Sequence, residues 1–195
     1  MKLIYFNFMI TKLSYKIYIF SLITISILAT SCDQDKKAVF SEEQITAGKN
    51  LVMEAKCNFC HTPYTDTEIG NSEKLLSGHP SESNIPDIPN VPVGSQEWLE
   101  FVANLNSTVW IDGNTVVFSA NITPDKETGI GKWSEETFIT TLRTGKHPGW
   151  KRDLKKPMPW LDYATLSNDQ LTAIYAYLMS IEPVNNRVPD PVKFK

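Results

Sequence analysis

Cys57-Asn58-Phe59-Cys60-His61 decides how this chain is read. Two thiols three positions apart, with an imidazole directly after the second, suit a haem attachment site. Both sulfurs can bond to a porphyrin's vinyl groups while the histidine meets the iron from one face. Other uses of a C-x-x-C pair need companions that the sequence lacks. A zinc site needs a second Cys or His pair, and outside the motif the chain offers only Cys32, His79 and His147, with no second C-x-x-C and no H-x-x-x-H. A thioredoxin-like pair belongs at a strand-to-helix turn of a βαβ unit, and no such alternation is visible.

At 195 residues the chain has room for one ordinary domain, or one domain plus an export segment. The first thirty residues read as the export segment. Lys2, Lys12 and Lys16 are the only charges before Asp33. Ile17 to Ala29 is an apolar core of signal-peptide length, shorter than the roughly 18 residues a spanning helix needs. An uncleaved anchor is the alternative, because Leu3 to Ile10 is apolar as well. Leu28-Ala29-Thr30-Ser31-Cys32 resembles a lipobox, where bacterial lipoproteins are cut before a cysteine that then carries lipid. Ala29 stands where the usual leucine would, with Leu28 one place further out. Lipidation of Cys32 also accounts for the odd cysteine left over by the motif. The expectation is a lipoprotein-type signal peptide over 1–31, export to the periplasmic side, and a lipid anchor in the inner or outer membrane.

The first 31 residues hold three of the 19 Lys and Arg and none of the 22 Asp and Glu, so the chain from Cys32 onward carries a net charge of −6. An acidic domain is a poor match for nucleic acid or an anionic lipid surface, where binding rests on Lys and Arg. A basic or mixed-charge redox partner fits better.

Residues 32–40 read as a polar tether. A domain over 41–183 follows, and then a polar tail, 184–195, expected to lie along the surface. Ser41-Glu42-Glu43-Gln44 is a capping box opening a helix that runs into Cys57, with Ile45, Leu51 and Val52 on its apolar side and Ala47 and Gly48 small enough for another helix to approach. The proline-rich stretch 62–93 reads as a loop wrapped on an apolar object, with Leu75 and Leu76 turned inward. Ser95 to Leu105 has a helix pattern with Trp98, Leu99, Val102 and Leu105 on one face. Thr108 to Ile111 and Thr115 to Phe118 flank Asp112-Gly113-Asn114, a hairpin signal. Residues 121–133 fail as an EF-hand loop because Ile130 occupies the glycine position, and are expected to form a solvated turn. Ser134 opens a helix to about Arg143, with Phe138, Ile139 and Leu142 inside and Gly145 as its stop. Ser167 opens the last helix, with Leu171, Ile174, Tyr175, Leu178 and Met179 on one face.

A capped helix leading into CNFCH, a long loop, further helices, a methionine between prolines and a closing amphipathic helix together resemble the class I cytochromes c over roughly Phe40 to Pro183. Within that span, NITPDKETGIGKWSEETFITTLRTGK and KPMPWLDYATLSNDQLTAIYAYLMSIEPV are similar to the cytochrome c subunits of membrane-bound alcohol and gluconate dehydrogenases and to related lipoprotein cytochromes. Those subunits carry several C-x-x-C-H domains, whereas this chain has one. The resemblance implies an all-α cytochrome c fold of about four to five helices around one covalently bound haem c, with long loops and a small β-hairpin near 108–118. It implies that the first and last helices cross near the haem edge, that Cys57 and Cys60 hold the ring, and that His61 is the proximal ligand.

It also points to Met158 as the distal ligand, and Lys156-Pro157-Met158-Pro159-Trp160 agrees, since flanking prolines can hold a flexible thioether in place. His147, in the same loop, is the main rival and His79 a lesser one. The proximal imidazole is often fixed in this family by a loop proline's carbonyl about a dozen residues on. Glu73 stands there, so no such partner carries over. Trp160 is a candidate for packing on the ring or bonding a propionate, or equally a core tryptophan. Arg143 and Arg152 are candidate propionate partners on charge alone. The expected function is one-electron transfer without a small-molecule substrate, an electron carrier rather than an enzyme. Its redox partner would be a dehydrogenase, a quinol-oxidising complex or a terminal oxidase. The rival is a haem-based gas sensor or haem enzyme component with an open or His distal face.

Overall fold

In the computed structural model, each of the four longer helices begins at a serine whose hydroxyl accepts a backbone N–H. The structure describes residues 40–63, 72–147, 149 and 153–194. Helix α1 (Glu42–Glu54) starts at Ser41, with the reciprocal Gln44 bond of a full capping box. After α2 (Cys57–His61) come α3 (Gln96–Ala103), capped by Ser95, and α4 (Glu135–Thr144), capped by Ser134. A short α5 (Trp160–Tyr163) precedes α6 (Asn168–Ser180), where Ser167 and Gln170 form a second capping box. A serine oxygen satisfying a free N–H, with acidic residues in the positive first turn, sets each start.

α1 does not run unbroken into the cysteine pair. Lys56 takes a left-handed conformation at φ 56°, which ends one helix and re-aims the chain into the next. Helix α1 crosses α6 at Gly48, where an added Cβ would lie 1.9 Å from the Ala173 carbonyl oxygen. The core beside this crossing contains fully buried Val52, Leu76 and Leu171 with Phe138, Leu142, Ile174, Tyr175 and Leu178. Each large side chain so buried contributes about 1.5–3 kcal/mol.

The expectation of a helical fold with a small hairpin near 108–118 holds in part: the described residues hold six α-helices, one more than expected, and the hairpin is extended to a three-stranded antiparallel sheet. Strands β1 (Val109–Asp112) and β2 (Thr115–Phe118) pair with Asp112 opposite Thr115, joined through Gly113-Asn114. Strand β3 (Val192–Lys193) adds to the free edge of β2. It comes from the segment read as a surface tail, which is pinned well before the strand. Buried Asn186 donates to the carbonyls of Ser77 and His79 and accepts from the Ser81 N–H. Asn121 reaches the Val184 carbonyl at 2.8 Å.

Two further expectations shift. On α3 only Trp98 is buried, held by Phe101 and by Phe194 from the tail, while Leu99 is 57% and Val102 37% exposed. An eight-residue helix anchored by one tryptophan turns the rest of its apolar stripe outward. Residues 121–133 are not simply solvated. Thr123 and Ile130 are buried, and Asp125 accepts from the N–H groups of Glu127 and Thr128 and from the Thr128 hydroxyl. These bonds hold the Asp125 carboxyl below its usual range, against a smaller opposing effect of burial.

Candidate functional site

Helix α2 is a single turn that carries all three groups of the motif. Cys57 opens it, and Cys60 and His61 close it. Burial pushes the Cys57 thiol up to about 11 and raises Cys60 as well, so both stay protonated near neutrality. The Tyr163 hydroxyl, beside Cys57, donates to the Ala55 carbonyl at 2.9 Å and is itself raised by burial.

His61 is buried, and its Nδ1 lies 2.7 Å from the Ala120 carbonyl oxygen. A carbonyl can only accept, so Nδ1 carries the proton and Nε2 keeps the lone pair. Burial lowers the imidazole pKa and this bond partly opposes the effect. Gly78 sets the contact from behind. Its N–H donates to the His61 carbonyl at 2.7 Å, and a Cβ there would meet the Ala120 carbonyl carbon and the Ser119 oxygen at 2.5 Å. At φ +79° the loop passes close enough to brace the 119–121 backbone beside the ring.

Met158 is half-buried against the same core that Cys57 and Tyr163 border, and its N–H bonds the Lys155 carbonyl. Trp160 packs over Gly145 at the end of α4, where an added Cβ would lie 2.6 Å from the indole. His147 stacks on Trp133 with centroids 4.4 Å apart, and its Nδ1 accepts the Gly149 N–H at 3.0 Å. It lines a surface pocket of about 360 Å³ with Lys126 and Lys132; Cys57, Cys60, His61 and Met158 are not among the lining residues. His79 is buried, with Nδ1 2.8 Å from the Thr108 hydroxyl and its ring on Phe118. Arg143 donates to the Ala164 carbonyl and to Asn168, so protein groups already engage its guanidinium. Cys32 and Arg152 lie outside the described residues.

Sequence reading missed Ala120, Gly78 and Tyr163. A backbone carbonyl 59 positions from the histidine leaves no signature in its own side chain, and Tyr163 has the look of a packing residue.

Among the described residues no cluster of three or more His, Cys, Asp and Glu could hold a metal ion, and no helix is long and apolar enough to cross a membrane. The fold and the Cys57–His61 turn are consistent with a cytochrome c-like chain. The chain is similar to the cytochrome c subunit of the quinone-dependent alcohol dehydrogenase of Gluconobacter oxydans, 39% identical over 77 residues, 38% of this chain and 16% of that one. The gluconate 2-dehydrogenase cytochrome c subunit of Pantoea cypripedii is 41% identical over 69 residues, 35% of this chain and 15% of that one. The fructose dehydrogenase cytochrome subunit of Gluconobacter japonicus aligns over 148 residues at 28%, covering 75% of this chain and 23% of that one. The chain thus spans less than a quarter of the length of these curated relatives. No family model matches it. The resemblance to dehydrogenase cytochrome subunits therefore holds.

Proposed function

We propose that the chain is a one-electron carrier with a single haem c joined to Cys57 and Cys60, ligated by His61 and Met158. In this reading it takes electrons from a dehydrogenase or respiratory complex on the periplasmic side. Residues 1–31 direct export, Cys32 bears the lipid, 32–40 tether the domain 41–183, and 184–195 close its sheet. One observation carries the assignment: the Nδ1–H of His61 is committed to Ala120, so Nε2 is left as the donor on the same turn as two thiols. That donor set fits the group. Cys57 and Cys60 would hold the ring through two thioether bonds, each made by addition of S–H across a vinyl without net oxidation. When bound, haem c supplies a ferrous–ferric couple.

The chain's residues do the rest. The Ala120 carbonyl fixes the ring plane of His61 and opposes the loss of basicity on burial, while Gly78 bonds the His61 backbone. Met158, a soft thioether packed among apolar neighbours, would favour the reduced metal and, as a ligand, would deny access to oxygen or peroxide. Burial of the site disfavours the more charged state, so a positive midpoint potential is expected.

Optical and magnetic spectra of the purified holoprotein test the assignment. Wild type should be low-spin with the weak far-red methionine band. Met158→Ala should lose that band and bind carbon monoxide, whereas His147→Ala should keep the wild-type spectrum. Retention of the band in Met158→Ala would refute the ligand assignment, and a midpoint well below zero would refute the His/Met pair.

A further inference from the structure

The net charge of this chain is confined to one segment. Between Lys74 and Lys126 there is no Lys or Arg, but there are six acids: Glu82, Asp87, Glu97, Glu100, Asp112 and Asp125. From Cys32 onward, the residues outside that segment carry 16 acids against 16 Lys and Arg, so the whole −6 lies inside it. The segment also presents the exposed apolar stripe of α3, Leu99 and Val102. One turn past Leu99, the stripe enters a shallow cavity of about 250 Å³. Phe59, Val102, Leu105 and Ile111 form its apolar wall, and Ser107 and Trp110 complete it.

Two features mark this cavity as a contact site. Ser107 Oγ and Trp110 Nε1, on two of its lining residues, are buried and, among the described residues, without a hydrogen-bond partner. Phe59, 48% exposed, lies inside the attachment motif between Cys57 and Cys60, so a molecule seated here touches the turn bearing the thiols. Glu97 and Glu100 share α3 with Leu99 and Val102, and Asp112 follows Ile111 on β1, so apolar anchor points on acidic elements match a protein surface of opposite sign.

We infer that the α3–hairpin face, from Leu99 and Val102 to Phe59, docks the redox partner, a protein presenting an apolar side chain within a ring of Lys and Arg. The inference rests on the electron-carrier reading above. It places electron exchange at the Phe59 side of the motif.

Electron exchange can be followed by stopped flow between the holoprotein and a soluble cytochrome c whose exposed edge is ringed by lysines. The wild-type rate should fall as salt rises. Leu99→Lys/Val102→Lys should slow exchange roughly tenfold at low salt with an unchanged haem spectrum, whereas Thr46→Lys/Asn50→Lys on exposed α1 positions, adding the same charge, should stay near wild type. Amide shifts of the labelled wild-type holoprotein on adding that probe should map to Phe59, Val102 and Ile111, independently of any variant. Equal slowing in both double variants, or shifts elsewhere, would overturn the docking face. So would sedimentation as a dimer that Leu99→Lys dissociates, since the face would then meet a second copy. A colourless wild-type protein would instead sink the electron-carrier reading itself.

Discussion

His79 and Asn186 work as a pair at the residue scale. His79 is buried, and burial lowers its pKa from the ordinary value, with a smaller opposing pull from Glu82. A histidine depressed in the fold binds its proton only in the unfolded chain over the window just below that ordinary value. Stability is therefore present above the window and lost as pH falls through it. Urea unfolding at about pH 7.5 and about pH 5.5 should show this loss, and His79→Gln should shrink it. An equal loss in both proteins would mean that the other histidines carry the whole effect. Asn186→Ala removes the acceptor of the Ser81 N–H and the donor to the Ser77 and His79 carbonyls. The Ser77 and His79 carbonyls sit in the buried 77–79 turn, so about 2–4 kcal/mol should disappear from the unfolding free energy. A loss below about 0.5 kcal/mol would show that water replaces the amide. Neither role could be read in advance. An asparagine in a polar tail looks solvated, and the carbonyls it serves lie more than a hundred residues away.

The α1–α6 crossing is the element on which the core depends, and it was legible. Gly48 beside Ala47 on a capped helix announces a close approach, and Ala173 supplies the other backbone. Gly48→Ala sets two effects against each other. Alanine favours a helix interior by about 1 kcal/mol over glycine, but its Cβ would fall 1.9 Å from a backbone oxygen that cannot rotate away. Overpacking of this kind costs about 1–3 kcal/mol or more, so the clash wins and the thermal midpoint should fall. A rise in the midpoint would mean that the helices cross elsewhere. The serine caps were equally plain, because capping is decided within four residues. Strand β3 was not: two residues paired to β2 from the far end of the chain carry no local signal, and the outward turn of α3 follows from Phe194 closing over Trp98.

At the scale of the whole molecule, the proposed membrane attachment is a separate question from the proposed haem. The five-residue motif was readable because its chemistry is local, whereas the reading of Cys32 falls outside the described residues. With a net charge of −6 after Cys32, the chain gains nothing from an anionic headgroup layer, so electrostatics cannot hold it there. One acyl chain gives only marginal binding, and stable attachment needs at least two signals, which a diacylglycerol plus an acyl group at Cys32 would supply. On that proposal Cys32→Ser should move the protein from the membrane to the soluble fraction while leaving the spectrum unchanged, since the thiols of Cys57 and Cys60 are untouched. Intact mass of the wild-type protein should show the first 31 residues gone and one haem plus lipid added. A Cys32→Ser variant that stays in the membrane with 1–31 attached would point to the apolar run Ile17 to Ala29 as the anchor and refute lipidation as the tether.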